Sequence, residues 1–171
     1  MTENYPQFFT ATILNWNPIL HNDDYKQVII DSLRFLVSNQ RVKLYAFVIM
    51  PNHIHLIWKA INGHLRKDIQ RDFLRFTSQQ IQKDLRTNHP ELHAQFRVNK
   101  TDRKYQLWQR KPLSVDLYSD KVFKQKLDYI HHNPVAGKWN LAQDFVQYEY
   151  SSAIFYMEGH SEFEFLTHYR D

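Results

Sequence analysis

The fold of this protein depends on the stretch VKLYAFVIMPNHIHLIWKA, residues 42–60. Its two apolar, β-branched runs, 42–50 and 53–60, predict two strands of a sheet. Pro51 and Asn52 stand between the runs and predict a tight turn. We therefore expect the two strands to pair side by side at the centre of the fold.

Helical and strand periodicities continue on both sides of this pair of strands. The predicted elements are a strand at 5–15, a helix at 23–40, a helix at 64–86, a loop at 87–104, a strand or bent hairpin arm at 105–118 and a helix at 119–133. The order β-α-β-β-α-β-α predicts an α+β fold, a ferredoxin-like antiparallel sheet with its helices packed on one face. We expect one domain over 1–171, with an acidic, aromatic tail at 143–171 packed on it.

The composition excludes several classes of protein. The 171 residues contain no cysteine, which excludes disulfides and thiolate metal sites and fits a reducing compartment. No apolar run approaches the roughly 20 residues of a membrane-spanning helix. The N-terminus lacks the charged and then apolar pattern of a signal peptide. We therefore expect a cytoplasmic protein without a membrane partner.

The net charge of +4 conceals an asymmetry along the chain. Residues 64–126 contain 15 Lys and Arg against 7 Asp and Glu, a net charge of +8, whereas residues 143–171 have a net charge of −5. A basic middle segment is typical either of a solvated surface or of a surface that binds a polyanion, most often nucleic acid.

Two histidines interrupt the second strand of the opening stretch. His53 and His55 should point to the same side of the sheet, because alternate side chains of a strand share a face. Two imidazoles with this spacing can converge on one divalent cation, although an isolated His-x-His pair more often consists of hydrogen-bonded histidines in a half-buried sheet. A metal site would also need a third donor.

The helix predicted at 119–133 offers both a third donor and a nucleophile. Its apolar stripe should pack on the sheet, with Tyr129 and Asn133 one turn apart at the flank. The Asn133 side-chain oxygen could complete a metal site, and the Tyr129 hydroxyl could attack a phosphodiester beside the cation. The resulting phosphotyrosine would conserve the bond energy for a later joining step. Taken alone, a tyrosine at such a position more often only covers the core.

The combination of MPNHIHLI at 50–57 with DYIHHNPV at 128–135 resembles the single-tyrosine transposases of the HUH nuclease superfamily. Within that superfamily it is similar to the REP-associated tyrosine transposase, or IS200-like, branch. The resemblance implies that a bound Mg²⁺ or Mn²⁺ has His53, His55 and Asn133 as ligands and that Tyr129 is the nucleophile. It also implies cutting and rejoining of single-stranded DNA at imperfect hairpins through a 5′-phosphotyrosine link.

The resemblance extends over most of the chain. FFTATILN at 8–15 is similar to the first strand of the family, and YEYSSAIFY at 148–156 is similar to its aromatic, serine-containing tail. LWQRKPLSVDLY at 107–118 is similar to the Trp-Gln segment but has a proline where relatives continue into aromatic residues. NPVAGKW at 133–139 is one residue shorter than the usual stretch. These departures leave the four candidate site residues unchanged.

A bound single strand requires cations for its phosphates and aromatic faces for its bases. Tyr105 and Trp108 could stack on bases, although Trp108 fits a core position equally well. We expect single-stranded or hairpin DNA as the partner, a location at the nucleoid, and either a monomer or a homodimer. The candidate DNA-binding residues are Arg66, Lys67, Arg71, Arg75, Lys104, Arg110, Lys111 and Lys126.

Several alternatives stay open at this stage. The chain could be a hairpin-binding module that derives from such a transposase and no longer cuts, or an HUH nuclease that initiates replication or conjugation. The active site could be completed within one chain or by exchange of helices between two chains. His131 and His132 are predicted to be structural or to face phosphate rather than to bind metal.

Overall fold

A computed structural model describes residues 4–171 of the chain. Its elements are β1 (Gln7–Thr12), α1 (Asp23–Ser38), β2 (Val42–Ile49), β3 (His53–Ala60), α2 (Arg66–Asn88), α3 (Pro90–Ala94), β4 (Leu113–Asp116), α4 (Asp120–His132) and α5 (Ala153–Glu158). The four strands form an antiparallel sheet in the order β2-β3-β1-β4. The predicted α+β fold is confirmed. None of the helices between residues 4 and 171 combines the length and the apolarity that crossing a bilayer requires.

Helices cover both faces of this sheet. On one face Phe9 and Leu56 pack with Phe73 of α2 in a core to which α1 also contributes. On the other face Ile57 packs with Leu127 of α4. The expectation that all helices share one face is therefore wrong for α4. The neighbouring strands β2 and β3 have buried apolar residues on both sides, so each face must be covered by a helix to keep these side chains from water.

The position of α4 follows from its sequence. Ser119 caps the helix, because its hydroxyl accepts a hydrogen bond from the Val122 amide at 3.2 Å. Phe123, Leu127 and Ile130 form a buried stripe on one side of the helix. The stripe fixes which side of α4 faces the sheet, and hence where the residues at its flanks lie.

The acidic tail at 143–171 lies along the outer edge of β2. The Tyr148 hydroxyl donates to the Ile49 carbonyl at 2.5 Å, and the Thr167 amide donates to the Leu44 carbonyl at 2.8 Å. These contacts use backbone groups that an edge strand would otherwise present for pairing with other chains.

Two segments differ from the prediction. The expected loop at 87–104 contains α3, which begins at Pro90, a residue that is favoured in the first turn of a helix. Only residues 113–116 of the predicted arm at 105–118 form a strand. That strand is at the edge of the sheet, the position that tolerates the preceding Pro112.

Candidate active site

The histidine pair lies on the face of the sheet that α4 covers. His55 pairs with Thr10 across the β1–β3 ladder, and His53 pairs with Thr12. The two imidazole rings are 4.7 Å apart between centroids, at an interplanar angle of 73°. The side chains therefore converge, as the alternation along the strand predicts.

The neighbours of His55 leave one of its ring nitrogens without a partner. Its Nδ1 lies 2.7 Å from the Thr10 hydroxyl, and its ring stacks on Phe8 with centroids 5.2 Å apart. Its Nε2 is buried and has no hydrogen-bond partner among the described residues. With Nδ1–H donating to Thr10, Nε2 presents an unshared lone pair in a place that water does not reach.

The surroundings of His53 show a related arrangement. Its Nδ1 lies 2.7 Å from Asn52 Oδ1, an acceptor, and the tautomer with the proton on Nδ1 satisfies this contact. The unprotonated Nε2 then faces Asn133 Oδ1 at 3.2 Å, which brings two acceptors together. A cation between them would replace this repulsion with attraction. Two neighbouring ligands of an octahedral ion, each about 2.1 Å from it, are about 3 Å apart.

The available donors fit a divalent cation. They are His53 Nε2, His55 Nε2 and Asn133 Oδ1, and the partners of the two Nδ1 atoms orient the rings as outer-shell groups do in metal sites. Within residues 4–171 no group of three or more His, Cys, Asp or Glu side chains could hold a metal. The candidate for the third donor is the Asn133 amide oxygen, 3.2 Å from His53 Nε2.

Burial keeps both imidazoles neutral at neutral pH. The pKa of His55 is lowered to about 3, chiefly by burial and further by the nearby charges of His53 and Lys126. Burial also lowers the pKa of His53, and the contact with Asn133 opposes this shift. Because a metal ion binds only the unprotonated nitrogen, a lowered pKa keeps the ligands available well into the acidic range.

Tyr129 lies against the His55 ring of this pair. Its ring centroid is 5.3 Å from that of His55 and 6.0 Å from that of Phe8, with both contacts edge to face. The side chain is 51% exposed, so its phenol is open to a ligand from solvent. Lys126, one turn earlier, places its Nζ 5.8 Å from the Tyr129 ring and 4.8 Å from the Phe8 ring. Tyr129 and Lys126 thus stand together beside the candidate metal ligands.

All four predicted site residues meet within a single chain. Tyr129 and Asn133 come from the end of α4, and His53 and His55 come from the start of β3. Their assignment as nucleophile and metal ligands stays a prediction.

Sequence analysis missed the residues that orient the imidazoles. Asn52 directly precedes His53, so its adjacency was a visible signal. Thr10 could be found only from the register of β1 against β3. His131 is buried with its Nε2 2.8 Å from the Ser152 hydroxyl, which places it in the core instead of the site.

The predicted DNA-binding residues do not form one surface. A groove of about 610 Å³ lies between α2 and residues 102–112, and we call it the arginine groove because its lining includes Arg71, Arg75, Arg103 and Arg110. Lys126 lies instead beside Tyr129, and Arg66 pairs with Asp116 at 2.7 Å. The other predicted residues are exposed; they are Lys67, Lys104 and Lys111.

The two aromatic candidates for base stacking are already engaged. Trp108 is buried, and its indole N–H donates to the Thr77 hydroxyl at 3.0 Å. Tyr105 stacks on His93 with ring centroids 4.0 Å apart. Trp108 therefore occupies the core position that the sequence had left as an alternative.

The fold and the site together define a four-stranded α+β domain in which a histidine pair on the sheet faces a tyrosine on a helix. No family model matches this chain, and neither does any curated protein. The chain is similar to the structure of the REP-associated tyrosine transposase bound to a REP hairpin, with a TM-score of 0.68 and 18% identity over 100% of this chain and 94% of that chain. A crystal structure of a proposed transposase from Deinococcus radiodurans R1 matches with a TM-score of 0.49 and 16% identity over 76% of this chain and 91% of that chain. The chain therefore shares the fold of the REP-associated tyrosine transposase.

Proposed function

We propose that this protein is a tyrosine transposase of the HUH superfamily that cuts and rejoins single-stranded DNA at hairpins through a 5′-phosphotyrosine intermediate. The observation that carries the proposal is the meeting of Tyr129 with His55, at 5.3 Å between ring centroids, in the same site as the His53–Asn133 contact. A protein that only bound DNA would have no need of these four groups in one place.

The proposed chemistry assigns one role to each part of the site. The Tyr129 oxygen attacks a phosphorus of the strand and loses its proton to solvent as the new P–O bond forms. The bond from that phosphorus to the 3′ oxygen breaks, and this oxygen takes up a proton. The half of the strand that keeps the phosphate is then joined to the protein by its 5′ end. A second 3′ hydroxyl reverses the step and joins two strand ends.

The remaining side chains hold the reacting groups in place. Thr10 and Asn52 fix the two rings through their Nδ1 atoms, so that His53 Nε2 faces Asn133 and His55 Nε2 stays free for a ligand. A Mg²⁺ or Mn²⁺ ion bound by these donors would supply positive charge that stabilises the phosphate in the transition state. Lys126 adds a positive charge next to Tyr129, where it can contact the phosphate under attack.

The partner follows from the same reasoning. The similar protein is described as bound to a REP hairpin, and we extend hairpin binding to this chain. The arginine groove offers the positive charge that a phosphate backbone requires. A DNA-processing enzyme of this kind would act at the nucleoid, in the cytoplasm.

The test is covalent capture. Single-stranded hairpin oligonucleotides labelled at the 5′ end or at the 3′ end are incubated with the protein and Mn²⁺ and run on a denaturing gel. Because the phosphate stays at the 5′ end of the fragment that is bound to the protein, only the 3′ label should move with the protein. Chelation of the metal and the substitution Tyr129→Phe should each abolish the adduct.

Tyr118→Phe is the matched control, since Tyr118 is also exposed, at 68%, and lies outside the site. An adduct that persists in Tyr129→Phe would refute the assignment of the nucleophile. Hairpin binding without an adduct in the wild-type protein would instead identify a non-cleaving DNA-binding protein.

A mixing experiment tests whether one chain completes the site. Tyr129 and the histidine pair meet within one chain, so a mixture of His55→Ala and Tyr129→Phe proteins should remain inactive. Recovery of cleavage in the mixture would indicate that α4 is exchanged between two copies.

A further inference from the structure

Trp16 is an exposed tryptophan next to the candidate active site. Its side chain is 64% exposed, whereas Trp58 and Trp108 are 3% and 6% exposed. An exposed indole contributes little to folding, because its apolar surface stays in water. The position of Trp16 therefore needs another explanation.

The backbone at Trp16 is unusual for a large residue. Asn15 and Trp16 both have positive φ angles, 56° and 53°, a region that bulky residues rarely adopt. Hydrogen bonds hold this turn in place: the Trp16 amide donates to the Ile13 carbonyl at 2.9 Å, and the Asn15 amide donates to Gln109 Oε1 at 3.3 Å. A strained conformation that persists in this way is typical of functional positions.

The turn lies between the candidate active site and the arginine groove. On one side the Ile13 amide donates to the Asn52 carbonyl at 2.9 Å, and the Asn52 side chain contacts the His53 ring. On the other side Gln109, whose side chain accepts from Asn15, lines the arginine groove. A strand that ran from the groove to the site would pass this turn.

We propose that Trp16 is a stacking platform for a base of single-stranded DNA. The inference rests on the proposed function. It adds a contact whose strength depends on the presence of a base and not on the charge of the phosphates. The exposed indole provides the aromatic face, and the hydrogen-bonded turn holds it in position before DNA binds. Every base has such a face, so the contact favours single strands without selecting a sequence.

The test compares two probes that differ only in their bases. One is an oligothymidylate of about 20 nucleotides, and the other is a strand of the same length that lacks every base. Trp16→Ala should weaken binding of the oligothymidylate about tenfold and leave binding of the base-free strand unchanged. The dependence of affinity on salt should stay the same, since no charge is removed.

Three further variants make the result specific. Trp16→Phe should keep most of the preference for the strand with bases. Trp16→Gly removes the ring but favours the left-handed backbone, so it provides a second ring-free protein if Trp16→Ala folds poorly. Tyr118→Ala is the control, because it removes a ring of similar exposure far from the turn. Tyr118 lies near the opposite end of β1, where the Leu117 amide donates to the Pro6 carbonyl. This substitution should change the affinity for neither probe.

Equal binding of both probes by the wild-type protein would overturn the inference. The inference would also be overturned if Trp16→Ala and Trp16→Gly both lost affinity for the two probes to the same extent. The proposed function is judged separately by the Tyr129 adduct, so stacking can fail while cleavage is demonstrated. If the wild-type protein bound no single-stranded DNA and formed no adduct, both proposals would fall.

Discussion

The two faces of the sheet differ in what they bury. On the face covered by α1 and α2, β3 presents Ile54, Leu56 and Trp58, all of which belong to one apolar core. On the face covered by α4 the same strand presents His53 and His55 before returning to the apolar Ile57. One strand thus builds a core and a polar site at once, because consecutive residues point in opposite directions.

The comparison shows how the site is kept rigid. The core behind β3 holds the strand in place, so the two histidines on the other side stand on a fixed support. The α4 face can then include a buried nitrogen, that of His55, which has no partner among residues 4–171, because the opposite face and the rest of α4 supply apolar burial. Stability and chemistry should therefore respond separately to substitutions on the two faces.

The largest effect should come from the α4 face. His55→Ala removes one candidate ligand, and we expect strand cleavage to fall about a thousandfold or more, since metal stabilisation of the transition state amounts to several kcal/mol. Binding of Mn²⁺, measured by titration calorimetry, should fall by at least about 100-fold. Unchanged Mn²⁺ affinity in the folded variant would show that His55 only packs against Phe8.

The neighbouring residue on the other face should give the opposite result. Leu56 is fully buried, so Leu56→Ala should lower the free energy of unfolding by about 3 kcal/mol, the cost of lost burial plus a cavity. Urea unfolding measures this change. At a temperature where the variant is folded, its Mn²⁺ affinity should match that of the wild type. If stability and Mn²⁺ affinity fell together, the two faces would not be independent.

The pH dependence of stability tests the buried His131 on the α4 side. Burial lowers the pKa of His131, on the α4 side, to about 4. In the unfolded chain the same imidazole has its ordinary pKa near 6.5. As the pH falls below 6.5, the unfolded chain therefore takes up a proton that the folded protein does not. In metal-free protein this difference in protonation should lower the free energy of unfolding by about 2 kcal/mol as the pH falls from about 7 to about 5. His131→Gln, which can still bond Ser152, should lose correspondingly less stability on acidification. An equally steep pH profile in the variant would contradict this assignment.

The smallest effects should come from the arginine groove, away from the chemistry. Arg75→Ala should weaken hairpin binding a few-fold and lower the slope of log affinity against log salt by about one, as the loss of one phosphate contact predicts. Arg34→Ala serves as the control, because Arg34 is engaged by Asp31 and Glu164. An unchanged slope for Arg75→Ala would exclude the groove from the path of the DNA.

The local pattern of the chain predicted much of this protein. The strand at 53–60 was predicted with the bounds that it has, and the helix predicted at 119–133 spans Asp120–His132 with Ser119 as its cap. The prediction that placed all helices on one face was wrong, because the choice of face depends on which apolar surface remains uncovered once the other elements have packed. The short helix at Pro90–Ala94 was missed because five residues are too few for a periodicity to emerge.

Local pattern alone was enough to predict which side chains share a face: His53 with His55 along a strand, and Tyr129 with Asn133 along a helix. Strand alternation and helical pitch are local properties, and they need no partner. Whether these two faces meet depends on how the elements pack, which brings His53 and Asn133 into contact although 80 residues separate them. The register that brings Thr10 to His55 and the turn that exposes Trp16 beside the groove also depend on long-range packing, which no short stretch of the chain specifies.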